Sequence, residues 1–285
     1  MPYLLIAPTL ILIVGIMIYP VIRVFDLSFQ SYDFTRLHEQ GYIGLDNFVR
    51  IFTEDTLFYG VLGVSVKWVL TEVVLQLIFG LILALLLNQS FKLRGLIRSA
   101  TLVPWAVSGV LTTMLWSLMF NQHIGVINDM FKRIGLIDQN IAWLANVNTV
   151  FGAVVTAELW RGIPFFAITL LAALQTIPKE VYEAGQVDGA SKARQLIFIT
   201  LPYLKESIIF ATLLRAIWEF NSIDMIFTMT NGGPMNMTTT LPIYMMQKAI
   251  LEGNYGYGSA LGVVTFLILL VFVIFYLRLN REGRE

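Results

Sequence analysis

Six stretches of this 285-residue chain are apolar over about 20 residues each, the length a helix needs to cross the hydrocarbon core of a bilayer. They are Leu4–Ile22, Trp68–Leu87, Ala100–Phe120, Val150–Leu174, Ser207–Met229 and Ser259–Leu277. In lipid every backbone polar group must be satisfied within the protein, so the expected fold is all-α: a single transmembrane domain over residues 1–285 with six helices. Composition agrees. The chain is 57% hydrophobic and 13% charged, against about 45–50% and about 25% in soluble domains. No Lys or Arg precedes Leu4 and no small-x-small cleavage site follows Ile22, so the first stretch reads as a retained helix rather than a signal peptide. The second extends back towards Phe58 if Lys67 reaches to the interface. Pro8, Pro20, Pro104 and Pro164 fall inside the stretches; each frees a carbonyl that a neighbour must satisfy, which favours a packed bundle.

Several function classes are excluded early. A formal net charge of zero gives no electrostatic footprint for nucleic acid. The absence of cysteine rules out disulfides and thiolate metal sites. The two histidines, His38 and His123, fall in separate loops and read as solvated. No GxxxxGK[ST] loop is present, so the chain does not bind a nucleotide by that means.

Lys and Arg in the loops set the orientation. The short loops at 89–98 and 176–206 and the tail after Leu277 hold Lys92, Arg94, Arg98, Lys179, Lys192, Arg194, Lys205, Arg278, Arg281 and Arg284. The three longer loops hold Arg23, Arg36, Arg50, Lys132, Arg133 and Lys248. The first set is denser and is expected to be cytoplasmic, with both termini on that side.

The loop at 176–206, TIPKEVYEAGQVDGASKARQLIFITLPYLKE, is too long and too patterned for a plain connection. Pro178 suits a first helical turn and Glu180 the positive end of a helix dipole, predicting a helix over 178–187. Asp188-Gly189 breaks it, Ser191 caps a second helix, and that helix is expected to stop before Pro202. Such a hairpin is either a docking knob or a partnerless surface element.

The motif Glu183-Ala184-Gly185, followed by Asp188-Gly189-Ala190 and Ile199-Thr200-Leu201-Pro202, resembles the EAA loop of ABC importer permeases, with Gly185 where the family pattern has Ala. Gly44-Leu45-Asp46-Asn47-Phe48, Asn121-Gln122 with Gly125, Thr230-Asn231-Gly232-Gly233-Pro234 and Thr238-Thr239-Thr240-Leu241-Pro242 extend the likeness to nearly the whole chain. Together they resemble carbohydrate ABC importer permeases, the group with the maltose and glycerol-3-phosphate systems, and within it the first of the two permeases. The resemblance implies a bacterial or archaeal plasma-membrane protein that is not itself an enzyme. It implies a second permease subunit completing the pathway, an ATPase dimer that binds ATP and Mg beneath it, and an extracytoplasmic sugar-binding protein. Glu183, Ala184, Gly185, Asp188 and Gly189 are then coupling-loop residues facing the ATPase, and this chain holds no cofactor of its own.

Charges inside the apolar stretches add to this. Glu158 and Arg161 lie in the fourth, and Arg215, Glu219 and Asp224 in the fifth. Each costs about 2.5–3.5 kcal/mol at a bilayer centre on insertion scales, so each should face a cavity or another charge. The i,i+3 and i,i+4 spacings put Glu158 with Arg161, and Arg215 with Glu219, on shared faces. Glu72 and Lys67 do not share a face well and read as interface or packing residues. By motif, the sugar-pathway positions of the maltose-type permease fall on Trp105, Gly109, Glu158, Arg161, Gly162, Phe165, Arg215 and Glu219. The maltose-type permease uses mainly neutral amides and hydroxyls there. Four charged residues in their place argue against maltose and suit a different, even acidic, saccharide. Lining a sugar pathway and forming a static ion-pair network both remain open for them, as does a first permease that lines no substrate site. An ion-coupled secondary transporter is the alternative class, but the inverted pair of similar halves that would mark it is not evident. An intramembrane enzyme would need a nucleophile–base pair or a metal cluster, and no His or Cys lies in any stretch.

Overall fold

The computed structural model describes residues 2–35, 38 and 40–282. Arg36 and Arg284 of the charge count lie outside the described residues, as does the side chain of Arg281. Among the described residues five helices are long and apolar enough to cross a membrane, or six if one sharply bent pair counts as a single span. The contacts divide the chain into two compact units, residues 1–63 with 239–283 and residues 64–238.

In the first unit, α1 (Pro2–Leu12), a wide π-type turn (Ile13–Ile18) and α2 (Tyr19–Ser28) form one apolar run that ends at Ser28 rather than Ile22. It continues past the expected end, with Arg23 and Asp26 paired at 2.9 Å on its surface. A two-residue hairpin of β1 (Gln30–Ser31) and β2 (Gly41–Tyr42) follows, then α3 (Asp46–Thr53). Buried Asn47 donates its amide to the carbonyls of Ser28 (3.0 Å) and Gln30 (2.9 Å), which ties α3 to the end of α2 and accounts for the Gly-Leu-Asp-Asn-Phe segment. After the break at residues 239–240 come α14 (Leu241–Met246), a wide turn (Gln247–Leu251) and α15 (Tyr255–Glu282). α15 packs along α2, with Phe25 and Phe266 edge to face at 5.9 Å. Ile51, Phe58, Val61, Leu241, Tyr257 and Leu261 anchor this unit's core.

Asp55 holds the loop between α3 and α4 (Phe58–Asn88). Its Oδ1 accepts from the backbone N–H groups of Leu57 (3.0 Å) and Phe58 (3.2 Å), two donors that the start of a helix leaves unpaired. Its Oδ2 accepts from the hydroxyls of Tyr244 (2.7 Å) and Tyr257. Burial pushes the Asp55 carboxyl up, but the hydrogen bonds from Tyr257, Tyr244 and the two amides outweigh it, and its pKa lies below the ordinary carboxylate value. Burial and then the Asp55 bond push the Tyr244 hydroxyl far above its usual range, so it stays a donor.

The second unit holds the rest of α4, α5 (Arg94–Thr101), α6 (Val103–Ala106), α7 (Gly109–Met119), α8 (Val126–Arg133) and α9 (Val150–Leu174). The stretch at 100–120 is not the one helix expected from its hydropathy. It starts earlier, at Arg94, and bends by 90° between Ala106 and Gly109. Pro104 sits harmlessly in the first turn of α6; the break comes after it, where Val107 and Ser108 are both extended (ψ 139° and 136°). α9 spans the residues expected and runs through the buried Pro164.

Then come α10 (Lys179–Val187), α11 (Lys192–Gln195), a π-type turn (Leu196–Thr200), α12 (Leu201–Phe220) and α13 (Asp224–Thr230). Gly189 takes φ +77°, which ends α10 as expected, and Ser191 Oγ accepts from the Arg194 N–H. The helix does not stop before Pro202. The wide turn, in which Leu201 N–H bonds back to Leu196, offsets the clash between a proline ring and the carbonyl four residues earlier, and the chain carries on into α12. The Asn-Gly-Gly-Pro segment is a tight turn braced by threonines: Thr238 Oγ1 lies 2.8 Å from Thr230 Oγ1 and donates to the Gly233 carbonyl at 3.0 Å.

Replacing Asp55 with Ala is expected to cost about 1–2 kcal/mol, the usual worth of a helix-start acceptor, read as a lower thermal midpoint in detergent. The stabilisation from its depressed pKa is present above the unfolded carboxylate pKa and fades as pH falls through the folded value, so the gap between wild type and Asp55→Ala should narrow on acidification.

Candidate functional site

A buried charge cluster sits where α4, α9 and α12 meet. Two glycines allow that meeting. A Cβ on Gly80 of α4 would strike Phe166 of α9 and come within 3.1 Å of the Ala167 nitrogen; a Cβ on Gly162 would coincide with the Gln76 carboxamide. Small residues at such crossings let helices approach closely in a membrane. The approach brings Gln76 against α9 and within reach of α12.

Arg215 is the hub. Its Nε donates to Gln76 Oε1 (2.6 Å), and its Nη2 donates to Glu158 Oε1 (3.1 Å) and pairs with Glu219 Oε1 (2.6 Å). Gln76 Nε2 donates to Glu72 Oε2 (2.8 Å) and Glu219 Oε1 (3.0 Å). On the far side of Glu158, Arg161 donates from Nε (3.1 Å) and Nη2 (2.9 Å). The Glu158 and Glu219 side chains are each 1% exposed and Arg215 7%, whereas Arg161 keeps 24%. The network therefore opens outward only at Arg161. One oxygen each of Glu72 and Glu219 has no hydrogen-bond partner among the described residues.

Both pairs foreseen from spacing form, and Arg215 joins them across helices. Gly109 begins α7 just past the 90° bend; a Cβ there would lie 3.3 Å from Arg161 Nη1 and 3.7 Å from Asp224 Oδ2. Phe165, one turn beyond Arg161, packs edge to face on Trp218 at 5.2 Å. Trp218 and Trp105 remain 47% and 54% exposed, the latter on α6, which packs against α9. The structure thus gathers Gly109, Glu158, Arg161, Gly162, Phe165, Arg215 and Glu219 in one region, with Trp105 on the adjoining short helix.

Of the two readings left open for Glu72, packing is the one the structure supports: it is wholly buried, and its partner is Gln76 one turn along rather than Lys67, which brings it into the charge cluster. Lys67 instead lies over the Phe151 ring at 4.1 Å. The signal was available: Glu72 and Gln76 are i,i+4 on an otherwise apolar helix face.

Glu183, Ala184, Gly185, Asp188 and Gly189 lie far along the chain from this cluster, on the α10–α11 hairpin. Glu183, Ala184, Asp188 and Gly189 are exposed. The hairpin is held from within: Ala190 N–H donates to the Gly185 carbonyl (2.8 Å), and Tyr182 and Thr200 hydroxyls meet at 3.1 Å. A Cβ on Gly185 would approach Ile199 Cδ1 to 2.9 Å, so glycine lets the two arms close. A polar cavity of about 680 Å³ in the first unit, lined by Ser31, Asp33, Asp46, Arg50, Glu54 and Asn254, contains none of the expected site residues.

Residues 76–284 match the family model described as the binding-protein-dependent transport system inner membrane component. The chain belongs to this family. It is 37% identical over 283 residues to the trehalose/maltose transport system permease protein MalF of Thermococcus litoralis, covering 99% of this chain and 94% of that protein. It is 38% identical over 278 residues to the sulfoquinovosyl glycerol transport system permease protein SmoG of Agrobacterium fabrum, covering 98% and 89%. Its fold is that of a solved bacterial ABC transporter involved in the import of the acidic polysaccharide alginate, with a TM-score of 0.85 at 22% identity, over 98% of this chain and 94% of that one. The family relatives are transport permeases rather than enzymes, and the apolar helices fit an inner-membrane component.

Removing one partner of a buried ion pair costs about 3–5 kcal/mol, because the other charge is left uncompensated. Glu158→Ala should lose that much stability in a detergent melt, and Glu158→Met combined with Arg215→Met should lose less than the two single changes summed. Gly162→Ala should cost about 1–3 kcal/mol by driving Gln76 out of the network.

Proposed function

We propose that the chain is one permease subunit of an ATP-driven, binding-protein-dependent importer of di- or oligosaccharides, working as a single permease domain over residues 1–285. The likeness at 37% and 38% identity to permeases named for trehalose/maltose and sulfoquinovosyl glycerol transport, over nearly the full chain, carries this reading. A second permease completes the pathway, and an extracytoplasmic binding protein delivers the sugar. The α10–α11 hairpin seats on an ATPase dimer, which binds ATP and Mg. This chain then binds neither, and both of its termini lie in the cytoplasm of a bacterial or archaeal cell.

Physical features support each assignment. The hairpin projects exposed residues from a knob braced on its own hydrogen bonds, so a push on it is passed to α12, into which its second arm runs without a break. Glu183 offers an acceptor to the ATPase, and Gly185 and Gly189 keep the knob compact. Near the charge cluster, the exposed indoles of Trp105 and Trp218 supply flat faces for the C–H surfaces of a sugar, and Arg161 supplies charge-assisted donors for hydroxyls. Glu158, Arg215, Glu219 and Gly162 stand behind Arg161 and fix its position, while Gly109 and Phe165 flank it.

Tagged protein purified in mild detergent from its native membranes should bring down an ATPase and a second permease, identified by mass spectrometry. A lone chain that transports unaided would overturn the reading in favour of an ion-coupled carrier. Glu183→Lys should cut sugar-stimulated ATP hydrolysis by about tenfold or more, since a reversed charge at a docking face costs several kcal/mol; unchanged stimulation would remove Glu183 from the coupling surface.

A further inference from the structure

We infer that the pathway beside the charge cluster admits neutral saccharides and rejects anionic ones, with Asp224 as the residue that sets this preference. The inference rests on the sugar-importer reading and refines its substrate class.

Four intramembrane charges in sequence suggest a site able to hold an acidic sugar, because two of them are arginines. Their arrangement in space opposes that. Arg215 is sealed inside and spends its guanidinium on Gln76, Glu158 and Glu219. Arg161, the more open of the two, has Nε and Nη2 occupied by Glu158, leaving Nη1 directed toward the start of α7. At that same point stands Asp224, an exposed carboxylate whose Oδ2 is as close to Gly109 as a van der Waals neighbour. The carboxylate on the open side, Asp224, is placed close to the Arg161 nitrogen that Glu158 leaves free. An anionic sugar reaching Arg161 would meet the like charge of Asp224 beside it. A neutral sugar meets a donor, an acceptor and two indole faces, which suits hydroxyls and C–H surfaces alike.

The test uses the assembled complex of both permeases and the ATPase in nanodiscs, without binding protein, titrated with maltose, with trehalose and with a glucose disaccharide oxidised to the uronate at one C6. Tryptophan fluorescence reports binding near Trp105 and Trp218. Maltose or trehalose should change the signal, and the uronate should bind at least about tenfold more weakly, the order expected for a like-charge contact. In Asp224→Asn that gap should close, with uronate affinity rising at least about tenfold relative to the neutral sugar; a merely structural role for Asp224 would lower both affinities together and leave the gap as it was. A uronate that binds wild type as well as the neutral sugars overturns the inference and leaves the sugar pathway standing. An unchanged gap in Asp224→Asn removes Asp224 as its cause. No response to any sugar overturns the pathway assignment and the inference with it.

Discussion

An ionised side chain taken into a bilayer must find its opposite charge or water, and three helices of this protein are arranged around that requirement. Arg215 satisfies it by touching Gln76, Glu158 and Glu219, which come from α4, α9 and α12. The contact with Gln76 needs the close approach of α4 to α9 that Gly80 and Gly162 permit. Hydrophobic packing between helices is a weak guide in lipid, where the tails are as apolar as leucine, so the directional polar contacts specify which helices meet and in what register. The apolar cluster of Phe166, Leu170, Leu174 and Leu204 fills space around a geometry the charges select.

The breaks in the helices matter as much as the helices. The 90° bend at Val107–Ser108 starts a new helix at Gly109, and the turn at residues 221–223 starts another at Asp224. These two starts are neighbours, and they face the only member of the buried network with substantial exposure. A continuous third helix would have carried Gly109 elsewhere. Irregular backbone at membrane depth is tolerated where protein or a water-filled cavity covers it, which is why such breaks coincide with transport pathways. At the other end of α12 the wide turn at Leu196–Thr200 serves an opposite purpose: it keeps the helix whole through Pro202 and so makes the hairpin and the network-bearing helix one mechanical piece.

Shared ancestry establishes the transport family but leaves the charge of the cargo to local detail. Guanidinium groups are counted easily in a sequence. Their availability is not, because a guanidinium held on two sides by a carboxylate presents little positive field. In this chain Glu158 takes up Nε and Nη2 of Arg161, and Gln76, Glu158 and Glu219 surround Arg215, so the two arginines of the sequence count are largely committed inside the protein.

Hydropathy located the long apolar runs, since a 20-residue apolar run has few other uses, and α9 was placed to the residue; the expected helices at 100–120 and 207–229 are broken at residues 107–108 and 221–223, where backbone turns that hydropathy does not register interrupt them. Local chemistry was equally legible: Gly189 and Ser191 punctuate the hairpin, and i,i+3 and i,i+4 spacing paired Glu158 with Arg161 and Arg215 with Glu219, because these depend only on neighbours along one helix. What needed the tertiary structure was everything that joins different helices. The Arg215–Glu158 bond, the bend beyond Pro104 and the meeting of Gly109 with Asp224 depend on neighbours far along the chain, and the entry of Gln76 into the cluster depends on the helix crossing that Gly80 and Gly162 allow. A glycine in a sequence does not say which backbone it admits; only the packed neighbour does.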